Sequence, residues 1–164
     1  IVISKLLPSA AALTSLNLGF NQIGVQGATK LAAILKETNI TNLTLANNLL
    51  CGIARWSGTY TAEGIIKLCE GLKGSAVTSL NLEDNYIRAE GATALAAVLN
   101  ETKITNLDLA YNSLCGLNHY GSGTYTADGI TKLCEGLKGS AVTSLKTCST
   151  TTSTTRPNRP SKTP

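Results

Sequence analysis

The sequence predicts an α/β solenoid, on three observations. A leucine-spaced start recurs along the chain, as "LTSLNLGFNQIG" from Leu13, "ITNLTLANNLLC" from Ile40, "VTSLNLEDNYIR" from Val77 and "ITNLDLAYNSLC" from Ile104. Each start has the two-residue period of a strand and leads into a segment with the period of a helix. A single strand–helix pair holds too little apolar surface to fold alone, so the pairs must stack to build a continuous core.

Each start reads the same way. Leu16 and Leu18 alternate with Ser15 and Asn17, the pattern of a strand with one buried face, and Leu43/Leu45, Leu80/Leu82 and Leu107/Leu109 repeat it. Asn21, Asn48, Asn85 and Asn112 come at a fixed place, where a side-chain amide can satisfy backbone groups opened by the bend. Apolar Ile23, Leu50, Ile87 and Leu114 come next. The helical segment of a short repeat places Ala92, Leu95, Ala96 and Leu99 on one face, and that of a long repeat does so with Ile65, Leu68, Cys69 and Leu72. Gly74 and Gly139 suit the helix ends.

The starts are separated by 27, 37, 27 and 38 residues, the last interval ending at "VTSLKTC" from Val142, so short and long repeats alternate in a unit of about 64 residues. "SGTYTAEGIIKLCEGLKGSAVTSL" and "SGTYTADGITKLCEGLKGSAVTSL" differ only at Glu63/Asp128 and Ile66/Thr131.

The pattern LxxLxLxxNxIxxxGAxxLAxxL, carried here by Leu13, Leu16, Leu18, Asn21, Ile23, Gly27, Ala28, Leu31, Ala32 and Ile34/Leu35, resembles the leucine-rich repeats of the ribonuclease-inhibitor type. The resemblance covers about Leu13 to Leu145. It implies a horseshoe arc with parallel strands on the concave face and helices on the convex face. Similar repeats occur in ribonuclease inhibitor, NOD-like receptors and Ran GTPase-activating proteins. The two long repeats exceed the length usual in that family.

The expected organisation is a helical remnant of a preceding repeat over 1–12, the repeat domain over 13–145 and a tail over 146–164. The tail is rich in Ser, Thr and Pro and has the composition of a disordered segment. The fifth repeat fails where Thr147 replaces the second strand leucine, so the last core face is expected to be partly exposed. The chain has no Met and reads as a fragment or processed product. No apolar run has the length of a membrane span, and the apolar start lacks a basic leader.

The net charge of +4 has a single source. Ten basic and ten acidic residues balance over Ile1–Leu145, and Lys146, Arg156, Arg159 and Lys162 supply the excess. A neutral body argues against a basic nucleic-acid groove. Five Cys with no signal peptide do not read as a disulfide framework and favour a reducing cytoplasmic or nuclear location. Asn39-Ile-Thr and Asn100-Glu-Thr would be glycosylation acceptors in a secreted protein, but such triplets arise readily by chance.

Catalytic signatures are nearly absent, and no enzyme, cofactor or small-molecule substrate is expected. His119 is the one histidine. Cys115 and His119 have a metal-like spacing, but the first copy carries Cys51 and Arg55 there, and no further ligands accompany them. "GLKGS" is not a phosphate loop and lies after a helix, whose C-terminus repels phosphate. Cys69 and Cys134 align with Ala32 and Ala96 and read as small packing residues between helices. Cys51 and Cys115 lie two repeats apart, too far for a disulfide.

Candidate partner-binding residues fall into two groups. Strand positions facing away from the core form rows Asn17, Thr44, Asn81, Asp108, Lys146; Gly19, Ala46, Glu83, Ala110; and Phe20, Asn47, Asp84, Tyr111. Acidic Glu83, Asp84 and Asp108 beside aromatic Phe20 and Tyr111 resemble an interface, although the aromatics could equally shield the floor of the arc. The second group is the long-repeat insertion. There Thr61 reads as an N-cap, Glu63 as a first-turn acid and Tyr60/Ile65 as a hydrophobic staple, with Tyr125, Thr126, Asp128 and Ile130 repeating them. Arg55-Trp56 and His119-Tyr120 have no such packing role and suggest a binding lip.

The expected function is therefore a non-catalytic protein-interaction module whose protein partner is unidentified, with no nucleic acid or membrane as ligand. Two alternatives stay open: a GTPase-activating domain, implied by the Ran-activator resemblance and decided by a single-turnover GTPase assay, or a scaffold fragment of a longer array.

Overall fold

In the computed structural model, residues 12–54, 57–117 and 123–147 are described. Elements alternate along the chain as β1 (Ser15–Asn17), α1 (Gly24–Leu35), β2 (Asn42–Thr44), β3 (Ile53–Ala54), β4 (Ser57–Gly58), α2 (Glu63–Leu72), β5 (Ser79–Asn81), α3 (Arg88–Ala96), β6 (Asn106–Asp108), α4 (Asp128–Leu137) and β7 (Ser144–Lys146). Strands β1, β2, β5, β6 and β7 form one parallel sheet in chain order. Helices α1 to α4 pack side by side on its other layer. Parallel strands are about 4.8 Å apart whereas packed helices need about 8–10 Å, so the array must curve with the strands inside. The fold is an α/β solenoid.

Register tracks the repeat intervals. Leu16, Leu43, Leu80, Leu107 and Leu145 stand in one row across the sheet. The second strand leucines Leu45, Leu82 and Leu109 are fully buried, as are the helix residues Leu35, Leu68, Leu72 and Leu95. Helix α3 ends at Ala96, and Leu99 reaches the core from a 3₁₀ turn over Leu99–Glu101.

Two side-chain ladders hold the repeats together. Asn85 donates through Nδ2 to the carbonyls of Leu45 (2.8 Å), Leu82 (3.0 Å) and Glu83 (3.1 Å), and its Oδ1 accepts from the N–H groups of Asn48 (3.0 Å) and Leu50 (3.3 Å). Asn112 does the same between its own repeat and the preceding one, bonding Leu82, Ala110, Asn85 and Ile87. Asn48 reaches back to the Leu18 carbonyl (2.8 Å) and accepts from Ile23 N–H (3.4 Å). Asn21 is exposed and bonds within its own turn, to Leu18 and Gly19. At the opposite ends of the strands, the hydroxyls of Thr41, Thr78, Thr105 and Thr143 each donate to the backbone carbonyl of the preceding threonine, at 3.1, 3.3, 3.2 and 3.3 Å, beginning with Thr14. The threonine ladder is visible in the sequence as the Thr in second place of every start, yet its role depends on a neighbour one repeat away.

Helix contacts are of two kinds. Gly71 of α2 lies against the backbone of Ala32, where a Cβ would come within 2.5 Å of the Ala32 Cα, and Gly136 of α4 meets Ala96 in the same way at 2.6 Å. Glycine therefore lets each long-repeat helix close tightly onto the short-repeat helix before it. Between α2 and α3, side chains fill the gap instead.

Candidate functional site

The inner surface is built on the sheet register. Asn17, Thr44, Asn81, Asp108 and Lys146 are direct cross-strand partners in sequence. Three of them are tied to their own backbone: Asn17 Oδ1 accepts from Gly19 N–H (2.9 Å), Asn81 Oδ1 from Glu83 N–H (2.8 Å) and Asp108 Oδ1 from Ala110 N–H (2.9 Å). The remaining Asp108 oxygen pairs with Lys146 Nζ at 3.1 Å, and that bond raises the lysine pKa. The acidic row is thus partly neutralised at the β7 end.

Phe20, Asn47, Asp84 and Tyr111 form the next row, and all four have left-handed backbone, with φ of 59°, 51°, 53° and 57°. This conformation costs a non-glycine residue of order 1 kcal/mol or more. Backbone bonds to the next repeat hold it, as Phe20 N–H donates to the Ala46 carbonyl (2.8 Å), Asn47 to Glu83 (2.8 Å) and Asp84 to Ala110 (3.0 Å). Asn47 Nδ2 also donates to Asp84 Oδ2 (2.9 Å). The row is rigid at its base while its aromatic ends project, Phe20 being 83% exposed and Tyr111 39% exposed.

The long-repeat insertions fold back on themselves. Ile53 pairs with Gly58 and Ala54 with Ser57 in an antiparallel ladder, and Leu117 bridges Gly123 at the matching place in the second copy. Gly52 (φ 75°) and Gly58 (φ 103°) lie backbone to backbone, where a Cβ on Gly58 would strike the Gly52 carbonyl. Gly116 and Gly123 repeat the contact with one more residue between them, which accounts for the 38-residue interval against 37. Sequence reading missed these hairpins because the first has strands of two residues and the second a single bridge; the two glycines of each insertion were the available signal. Arg55, Trp56, His119 and Tyr120 lie outside the described residues.

The helix entries differ from expectation. Ala62 and Ala127, not Thr61 and Thr126, are the N-cap residues, although each threonine Oγ1 accepts from the N–H two residues on at 3.2 Å. With the helix starting one residue later, Tyr60 is out of position for a staple with Ile65. Its ring packs against the core, its hydroxyl donates to the Ile87 carbonyl of the next repeat (2.9 Å), and the Arg88 guanidinium lies 4.6 Å from the ring centre. Burial pushes the Tyr60 hydroxyl up to about 12.

Cys51, Cys69, Cys115 and Cys134 are free thiols. Burial pushes both Cys51 and Cys69 up to about 12, which suits packing residues rather than nucleophiles. Cys134, expected between helices like Cys69, is instead exposed, since no described helix comes after α4. Among the described residues no group of three or more His, Cys, Asp or Glu is placed to hold a metal ion. Among them also, no helix is long and apolar enough to cross a membrane.

A family model described as Leucine Rich repeat matches residues 12–32 and 76–96. Both stretches are short repeats, each running from the strand start through the Asn turn into the helix. The chain is a leucine-rich repeat protein. No curated protein matches it. In this leucine-rich repeat protein the matched stretches supply β1, β5, most of α1 and all of α3, and the long repeats between and after them carry the hairpins. Leucine-rich repeats generally serve protein–protein interaction, which fits a projecting aromatic row on a rigid inner sheet.

Proposed function

We propose that the chain is a non-catalytic protein-binding module of the ribonuclease-inhibitor type, acting in the cytoplasm or nucleus, with no nucleic acid, membrane or small-molecule ligand. The partner docks on the inner sheet surface. Phe20 and Tyr111 anchor it, Glu83, Asp84 and Asp108 face it with negative charge, and Arg55, Trp56, His119 and Tyr120 of the long-repeat insertions extend the contact.

One observation carries the reading. An aromatic side chain that is 83% exposed is mounted on a turn fixed by inter-repeat hydrogen bonds. A large exposed apolar group on a preorganised base is what interface hot spots favour, because little ordering entropy is lost on docking. The test compares partners captured by wild type, Phe20→Ala/Tyr111→Ala and Trp56→Ala/Tyr120→Ala proteins. The expected result is loss of a wild-type partner by the first variant, with an unchanged circular dichroism spectrum. The same partners at the same affinity in both variants would sink the proposal.

A further inference from the structure

The α4–β7 end of the solenoid repeats, in sequence, a surface that inside the molecule is covered. Ile65, Cys69 and Leu72 are buried beneath the short repeat that begins at Val77, and that repeat's own Val77 and Leu80 are buried with them. Their counterparts Ile130, Cys134, Leu137, Val142 and Leu145 are the same residue types, yet all five are exposed or half-buried. Of the five large hydrophobic residues exposed among the described ones, Tyr125, Ile130 and Leu145 lie at this end.

The cover on the internal copy is well defined. Helix α3 crosses α2 at Gly91, where a Cβ would come within 2.8 Å of Ile65 Cγ2. Tyr60 reaches across to the Ile87 carbonyl. Ala92 and Leu95 of α3 are fully buried behind this contact. Strand β5 precedes that helix, and β7 already occupies the equivalent place beside β6. The sheet layer of the fifth repeat has therefore begun, and among the described residues no helix follows it. Residues 146–164 contain no aliphatic or aromatic side chain from which such a helix could be made.

We infer that the α4–β7 end face is a docking site for one amphipathic helix in trans, bearing the Gly-Ala-x-x-Leu-Ala stripe with which α3 covers α2. The acceptor is Ile130, Cys134, Leu137 and Leu145, with Tyr125 placed to donate to a carbonyl at the entry of the incoming helix. A helix seated in an apolar groove is a common recognition mode, and an exposed apolar end of this kind marks an interaction surface. The site is separate from the inner sheet surface and does not depend on it.

The probe is a synthetic peptide with the sequence of residues 82–102, added to the intact chain. Alkylation of Cys134, with peptide mapping afterwards, reads occupancy. At saturating peptide, Cys134 modification should slow at least tenfold while Cys115 modification is unchanged. A Gly91→Leu peptide should give no protection, since its side chain collides with Ile130, and an Ile130→Lys protein should lose protection by the parent peptide. Ile130 is already 38% exposed, so that variant should fold, as circular dichroism would verify. Three outcomes overturn the inference: no protection by the parent peptide, equal protection by the Gly91→Leu peptide, or Cys134 already shielded in the free protein. In the last case sedimentation assigns the cover, a dimer to a second copy and a monomer to the chain's own tail.

Discussion

Residues 58–80 and 123–145 have nearly the same sequence and different fates. In the first, Ile65, Leu72 and Leu80 are buried and Tyr60 is bonded across the repeat boundary. In the second, Ile130 and Leu145 are open and Tyr125 is 67% exposed. Both helices span ten residues, and both glycine notches close on the preceding helix. Local structure is thus set by the segment itself and its incoming neighbour, whereas burial of the outgoing face is set by the next repeat. The same side chain is core in one copy and surface in the other.

The two copies should part most widely at the outgoing isoleucine. Ile65→Asp places a carboxylate where no water reaches and should cost about 4 kcal/mol or more, enough to threaten folding. Ile130→Asp should stay within about 1 kcal/mol of wild type. Urea titrations of the two variants measure the gap, and equal losses would show that the end face is covered in solution. A parallel contrast holds along the asparagine ladder. Asn85→Ala leaves buried N–H and carbonyl groups of two repeats without partners and should cost about 3 kcal/mol, against under about 1 kcal/mol for exposed Asn21→Ala.

The incoming face supplies the control. Gly71→Ala and Gly136→Ala each force a methyl group into the backbone of the preceding short-repeat helix, and both should lose about 1–3 kcal/mol, by similar amounts. A large difference between them would mean that the copies are not packed alike.

Thiol chemistry separates the copies most gently. At neutral pH iodoacetamide should modify Cys134 at least a hundredfold faster than Cys69, read by mass spectrometry of digests. Cys69 and Cys51 are acids whose folded pKa, about 12, is raised above the value of about 8.5 expected for an unfolded thiol. Their burial therefore stabilises the fold fully below pH ~8.5, and that contribution is lost as pH rises toward 12. Urea midpoints should fall between pH 8 and pH 11, and less so in Cys51→Ala/Cys69→Ala. An equal fall in that variant would assign the loss to other groups, Tyr60 among them.

Much of the molecule was legible without coordinates. Periods of two and of 3.6 residues give the strands and helices because each element must turn one face inward. The repeat intervals give the sheet register, since equal starts pair with equal starts. The inner row of Asn17, Thr44, Asn81, Asp108 and Lys146 comes from that register alone. Other features were hidden for physical reasons. Tyr60 bonds a residue 27 positions away, so its role lay outside any local motif. The hairpins are held by one or two backbone pairings beside a close approach of two glycines, which leaves no side-chain period to read. The expectation for Cys134 failed because aligned sequence does not imply an aligned neighbour.

The sequence by itself determined the repeat, its two lengths, the strand and helix of each copy and the residues on each face, because these depend on side-chain type and spacing within one unit. Only the tertiary structure decided which aromatic bridges two repeats, how the insertions close, how the acidic row is neutralised by Lys146, and which copy of one surface is core. Those outcomes depend on the neighbour each unit meets, and a repeated sequence carries the same face whether or not a neighbour is there to cover it.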